Sequence, residues 1–226
     1  MKLNEGWKSK VFLCTLSAHR FIAGLRNKDI SIVFREPLNL SDYDPRAATL
    51  ELMAREIYRY NIEGSTAELG VFQGNFARLI NHYFPDRKLY LFDTFEGFDK
   101  RDAEVDRREK FSTATQDFTQ TSIDLVLSKM EHKDNCIVRK GWFPETAEGV
   151  DDKFCFVSLD CDLYQPIRAG LEFFYPRLVH GGVIMIHDFV PAGYSGVRQA
   201  VKEFCDANNT GYVCLSDHCG SAVIVK

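Results

Sequence analysis

The sequence lacks an excess of basic charge: 28 Lys and Arg stand against 32 Asp and Glu, a formal net charge of −4. Phosphate contacts need clustered cations, so the composition argues against nucleic acid as a partner. No window of eighteen apolar residues occurs, which excludes a helical membrane span. The N-terminus carries Lys2, Lys8 and Lys10 before the run Val11–Leu16, which is too short and too polar in its flanks for a secretory signal. The seven cysteines contain no Cys-x-x-Cys pair. Reduced thiols in a cytoplasmic chain are therefore expected rather than a disulfide framework. Internal repeats and low-complexity tracts are also missing.

Eighteen Phe and nine Tyr, with 45% hydrophobic residues, supply a substantial core and exclude a disordered chain. Residues 1–44 are irregular in pattern and read as an N-terminal arm or lid, through which a homodimer is conceivable. Residues 45–226 read as the main domain. Asp44-Pro45 forms a helix start, an N-cap followed by Pro at the first helical position, and Leu50, Met53, Ala54, Ile57 and Tyr58 give that helix an apolar face.

Apolar runs then alternate with helical stretches. The runs are Thr66–Val71, Leu89–Phe92, Cys136–Val138, Phe154–Leu159 and Val183–Ile186. The helical stretches are Asn75–Tyr83, Ser122–Glu131, Ile167–Phe174 and Val197–Phe204. This order predicts an α/β fold, a doubly wound parallel sheet with helices on both faces. Gly211–Leu215 and Ala222–Val225, joined by a tight turn, add an antiparallel hairpin. His180-Gly181-Gly182 reads as a joint, and the charged run Asp99–Lys110 as a solvated loop or a mobile lid.

Glu68-Leu69-Gly70-Val71-Phe72-Gln73-Gly74 ends the first strand in a glycine turn. Gly70 removes a side chain where a ligand passes close, and Gly74 lets the helix start near the strand. The third glycine of the dinucleotide fingerprint is missing, which argues against an NAD(P)-linked oxidoreductase. Glu68 suits an ammonium, and Asp93, closing the second strand, suits ribose hydroxyls. An amino-acid-bearing nucleoside such as S-adenosylmethionine satisfies both. Val71, Thr94 and Phe95 complete the expected contacts. Ser122 reads as a helix cap or a nucleoside contact, and Trp142 as an adenine stack or core packing.

Phe156–Asp162 ends with two acids, and Ile186-His187-Asp188 ends the next strand. Parallel strands bring both tips to one edge, and alternation along extended chain would aim Asp160 and Asp162 alike. Crowded carboxylates invite a hard cation such as Mg²⁺, with Asp160 and Asp188 as ligands. His187 reads as a further ligand, a base, or a residue packed away. Asp162 reads as the catalytic base or as a structural acid. Cys214, His218 and Cys219 match no common zinc spacing.

Five stretches together resemble one family: ELGVFQGNFAR, LYLFDTFEGF, GWFPET, LDCDLYQP and YPRLVHGGVIMIHD. They are similar, in the same order over residues 45–200, to the macrocin O-methyltransferases. The resemblance implies a class I methyltransferase (Rossmann-like) fold and Mg²⁺-dependent methylation of a sugar hydroxyl on a natural product or surface glycan precursor. It implies cofactor contacts at Glu68, Gly70 and Asp93, metal ligation by Asp160 and Asp188, and Asp162 as base. The family usually carries two adjacent acids at the end of strand five; His187 replaces the first here, and imidazole suits softer ions. The rival readings are the oxidoreductase and a non-catalytic nucleoside-binding module.

Overall fold

The structure, a computed structural model, describes residues 44–190, 192–217 and 219–226. The expected arm over residues 1–43, the dimer contact assigned to it, and His218 lie outside them.

The first helix, α1 (Pro45–Arg59), begins as its sequence dictates. The Asp44 Oδ1 accepts from the Arg46 N–H at 2.9 Å, and Pro45 occupies the first helical position. Then follow β1 (Ser65–Leu69), α2 (Ala77–Tyr83), β2 (Leu89–Asp93), α3 (Lys100–Glu109), α4 (Ile123–Ser128), β3 (Cys136–Lys140) and β4 (Phe154–Leu159). The chain ends with α5 (Tyr164–Arg177), β5 (Leu178–Ile186), α6 (Ser195–Asn208), β6 (Val213–Cys214) and β7 (Ala222–Val225).

The seven strands lie in the order β3-β2-β1-β4-β5-β7-β6. Pairs among β1 to β5 are parallel, and β7 runs antiparallel to both neighbours, as the hairpin reading expected. Strand order reverses between β1 and β4, which places the ligand crevice outside their carboxyl ends.

The two-residue period of each strand sorts its side chains into two cores. On β2, Leu89 and Leu91 join Leu50, Ile57, Ile80 and Phe156 under α1 and α2. Tyr90 and Phe92 join Ile167, Leu171, Phe174, Val197 and Val201 under α5 and α6. Both faces are covered, so both alternate sets are apolar.

Two expectations fail. Asp99–Lys110 is no loop. It contains α3, capped by the Asp99 carboxylate accepting from Arg101 N, and its inner face is Asp102, Ala103 and Asp106. Asp106 docks the helix by accepting from Tyr164 N at 2.9 Å and from the Ser112 hydroxyl at 2.7 Å. Polar docking replaces the apolar stripe that periodicity detects. His180-Gly181-Gly182 is no joint either, because β5 runs through it. The register with β4 shifts there, between the Phe154–Leu178 and Phe156–Val183 pairs, so the glycines mark an irregularity within a continuous strand.

Candidate active site

At the carboxyl edge, the residue following a strand donates its N–H to a carbonyl at the end of the neighbouring strand. Gly70 N donates to Phe92 O at 2.9 Å, Asp160 N to Leu69 O at 2.8 Å, and His187 N to Leu159 O at 2.9 Å. Gly70, Asp160 and His187 are thereby fixed as the rim of one crevice. A cavity of about 420 Å³ opens over it, lined by Glu68, Gly70, Val71, Asp93, Thr94, Asp160, Asp162, His187 and Asp188 among others.

Gly70 lines the cavity, and packing by itself also requires a glycine there. Its φ is +87, and a Cβ there would stand 2.0 Å from the Asp160 carbonyl oxygen. The β4 tip, not a ligand, occupies the space. Gly70→Ala is therefore expected to displace the β1 turn and the β4 tip together. The heat of S-adenosylhomocysteine binding should vanish in calorimetry while the circular dichroism spectrum stays helical; undiminished binding would contradict this packing. Gly74 (φ +75) likewise makes room for Val126 of α4, whose Cγ1 would lie 3.0 Å from a Cβ, rather than for α2.

Asp93 ties the glycine turn down. Its Oδ2 accepts from Val71 N at 2.7 Å and Phe72 N at 2.8 Å, and its Oδ1 from Phe95 N at 2.6 Å. The turn's N–H groups are thus committed to Asp93 rather than offered to a ligand; Oδ2 is filled by its two donors, while Oδ1, with one donor, keeps a lone pair. Glu68 is 1% exposed, and its Oε2 has no hydrogen-bond partner. Burial pushes its carboxyl well above the usual range, against the pull of Arg46. An ammonium seated on Oε2 would restore the charged form.

Three members of the expected cofactor set do not line the cavity. Gly74 packs on α4, and Phe95 is core, using its N–H on Asp93. Ser122 is the N-cap of α4, its Oγ accepting from Leu125 N at 3.1 Å, and lines a separate surface hollow with Phe95.

The acids converge as expected, by a different route. Asp162 and Asp188 sit in left-handed backbone, φ 59 and 53, a region Asp tolerates better than most residues. The chain turns at Asp162 instead of continuing extended, and this turn, not strand alternation, gathers the carboxylates. Ligand oxygens of Asp160, Asp162 and Asp188 lie within 4.8 Å of one another.

His187 and Arg46 balance this charge. The His187 Nδ1 lies 3.0 Å from Asp160 Oδ1 and 2.9 Å from Asp188 Oδ2. Burial alone would lower its pKa; hydrogen bonds to both acids outweigh it and push the imidazolium up to about 10. The Arg46 Nη1 meets Asp160 Oδ2 at 2.8 Å, its Nη2 donates to Ser158 Oγ at 3.1 Å, and the guanidinium covers the Phe76 ring at 3.7 Å. Although burial opposes it, the pair holds the Asp160 carboxyl well below the usual range. Asp162 has no such partner, and burial beside Asp160 and Asp188 raises it strongly. The sequence reading missed Arg46 altogether.

On the opposite wall, Trp142 does line the cavity. Its Nε1 donates to Asp102 Oδ2 at 3.1 Å, and Arg101 covers one ring face at 3.8 Å. Phe72, Phe98 and Phe118 form an edge-to-face chain beside it, with centroids 5.1 and 5.0 Å apart. Burial pushes Asp102 up to about 6, against the indole's hydrogen bond. Since this folded pKa exceeds the ordinary carboxyl value of 3.8, Asp102 favours folding fully below pH 3.8 and loses that contribution as pH rises through 6. Asp102→Asn, which keeps the acceptor and removes the charge, is expected to stabilise the protein by about 1–2 kcal/mol at pH 8. Urea titrations should show that gain shrinking toward pH 4; a gain constant with pH would contradict it.

A family model described as macrocin O-methyltransferase (TylF) matches residues 44–213. The chain belongs to this family. Two curated relatives are alike in sequence. One, 26% identical over 172 residues, is the 8-demethyl-8-(2,3-dimethoxy-alpha-L-rhamnosyl)-tetracenomycin-C 4'-O-methyltransferase of Streptomyces olivaceus; the match covers 70% of this chain and 64% of that protein. The other, 27% identical over 176 residues, is the mycinamicin III 3''-O-methyltransferase of Micromonospora griseorubida, covering 71% and 68%. The chain thus spans about two-thirds of the length of these relatives. Among solved structures, a calicheamicin methyltransferase superposes with a TM-score of 0.66 at 19% identity, covering 100% of this chain and 94% of that one. The O-methyltransferase NovP gives 0.65 at 17%, covering 80% and 79%. The fold is therefore the class I methyltransferase fold that the sequence implied. His187 stands between Asp160 and Asp188 rather than packed away.

Proposed function

We propose that this member of the family is an S-adenosylmethionine-dependent O-methyltransferase. Its acceptor is a sugar hydroxyl on a small natural product or glycan precursor, and a divalent cation assists. One observation carries the reading: Glu68, whose buried Oε2 has no hydrogen-bond partner, and a three-carboxylate cluster line the same cavity. Both curated relatives are named as O-methyltransferases, one with a rhamnosyl group in its substrate name.

Bound S-adenosylmethionine supplies an electrophilic methyl group on a sulfonium sulfur. Glu68 Oε2 would receive its ammonium, and the remaining lone pair on Asp93 Oδ1 would accept from a ribose hydroxyl. The oxygen-only donor set of Asp160, Asp162 and Asp188 suits a hard divalent ion such as Mg²⁺, which would supply acidification of the acceptor hydroxyl. Asp160 and Asp188 would hold that ion. A cation there would also favour the ionised form of Asp162, which would then accept the hydroxyl proton as the oxygen–methyl bond forms and the carbon–sulfur bond breaks. The rim hydrogen bonds fix Asp160 and Gly70, holding donor and acceptor sites in register for in-line transfer.

The test is calorimetry with S-adenosylhomocysteine and with NAD on the full chain, followed by mass spectrometry of sugar-bearing acceptors incubated with S-adenosylmethionine. Binding of the former, weakened in Glu68→Gln, and a one-methylene mass gain are expected. Preferential NAD binding without any methylated product would overturn the reading.

A further inference from the structure

A second donor set adjoins the acid cluster and overlaps it at Asp188. Among the described residues, His187, Asp188 and Cys219 each bring a ligand atom within 4.8 Å of the other two. The thiol comes from the turn between β6 and β7, far in sequence from the other two. Backbone bonds hold that turn against the segment after β5: Phe189 N donates to Gly220 O at 3.0 Å and Val190 N to Cys219 O at 3.4 Å. Gly220 makes the approach possible, since a Cβ there would lie 2.2 Å from Val190 Cγ2 and its φ is +65. The turn is closed from its other side by Asp217, which accepts from the Ser221 N–H and hydroxyl at 2.6 and 2.5 Å. Cys219 is thus placed at the β5 tip by built structure. The zinc spacing dismissed in sequence grouped Cys219 with Cys214 and His218; folding joins it to His187 and Asp188 instead.

The chemistry of this set differs from that of its neighbour. Asp160, Asp162 and Asp188 offer oxygen alone, which suits hard ions. Imidazole, thiolate and carboxylate are the ligands of zinc-class ions, and Mg²⁺ takes nitrogen and sulfur poorly. Bonds of about 2.0–2.3 Å to a tetrahedral ion place its ligand atoms about 3.3–3.8 Å apart, so the set needs only modest closure. Asp188 has two oxygens and can serve both sets at once.

We propose that His187, Asp188 and Cys219 form a binding site for a borderline divalent metal ion of the zinc class, beside the oxygen-only set and sharing Asp188 with it. The inference rests on the cation reading above only through that shared carboxylate. Binding releases two protons to solvent, one from the thiol and one from the His187 imidazolium, and leaves the fourth position open to water or an acceptor oxygen.

The test uses the full chain, stripped by a chelator and titrated with Co²⁺ alone. A near-ultraviolet sulfur-to-cobalt charge-transfer band should saturate at one ion per chain, vanish on adding equimolar Zn²⁺, and survive a large excess of Mg²⁺. It should be absent from Cys219→Ser and intact in Cys214→Ser. His187→Asn should weaken cobalt binding by about tenfold or more. No band in the wild type, or a band that persists in Cys219→Ser, overturns the proposal. Should Cys219→Ser not fold, X-ray absorption of the zinc-loaded wild type decides, by the presence or absence of one sulfur and one imidazole in the shell. Mn²⁺ binding, followed by water-proton relaxation in wild type and Asp160→Ala, reports on the oxygen-only set. Mn²⁺ without a cobalt band sinks this site alone, and a band without Mn²⁺ binding sinks the acid-set reading alone.

Discussion

Asp162→Asn is expected to lower the methyl-transfer rate about 10²–10⁴-fold while S-adenosylhomocysteine affinity changes only a fewfold. The substitution keeps the shape and the hydrogen-bonding reach of the side chain but removes the lone pair that receives the acceptor's proton. Asp162 is singled out because Asp160 and Asp188 are stabilised as anions by His187, with Arg46 adding to Asp160, whereas Asp162 is surrounded by negative charge. A carboxylate made unstable in this way has the greatest appetite for a proton. The measurement is kcat at saturating acceptor alongside calorimetry of cofactor binding. An Asn variant retaining half the wild-type rate would place the proton elsewhere; equal losses in rate and cofactor affinity would make Asp162 a structural acid.

The largest stability change is expected at Arg46. Its side chain is 10% exposed and that of its partner Asp160 is 22% exposed, so truncation to Ala strands a carboxylate inside the protein. Breaking a buried pair from one side costs about 3–5 kcal/mol. Arg46→Ala should therefore lower the urea midpoint steeply, and Arg46→Lys should recover only part of it. One compact ammonium cannot span Asp160, Ser158 and the Phe76 ring as the guanidinium does. A loss below about 1 kcal/mol would mean that His187 alone satisfies Asp160.

The sheet was legible because its strands are apolar on both faces: Phe154–Leu159 and Ala222–Val225 were read with the observed limits. The acid cluster was legible because topology alone brings the tips of β4 and β5 to one edge. What escaped was polar structure. The run Asp99–Lys110 hid a helix because its buried face is Asp102, Ala103 and Asp106, which periodicity scores as solvent-facing. The Asp99 cap and the four-residue spacing of the two acids were the available signals. Arg46 escaped because an Arg in a first helical turn looks like surface charge. It stands against the helix dipole there, and that unfavourable placement was the sign of a partner elsewhere. Gly70 was marked for ligand approach and its packing role escaped, since which neighbour excludes a Cβ depends on the tip of β4, far along the chain.

The contact between Gly70 and Asp160 also says where this scaffold has freedom to diversify. Donor loop and acid edge are locked backbone to backbone, so neither drifts without the other. Room for novelty lies across the crevice, in residues 96–118, where the aromatic chain and α3 rest largely on side-chain contacts, beside one backbone bond from Ser195 N to Phe111 O. Grafting that segment between relatives should exchange acceptor preference and leave the transfer chemistry intact.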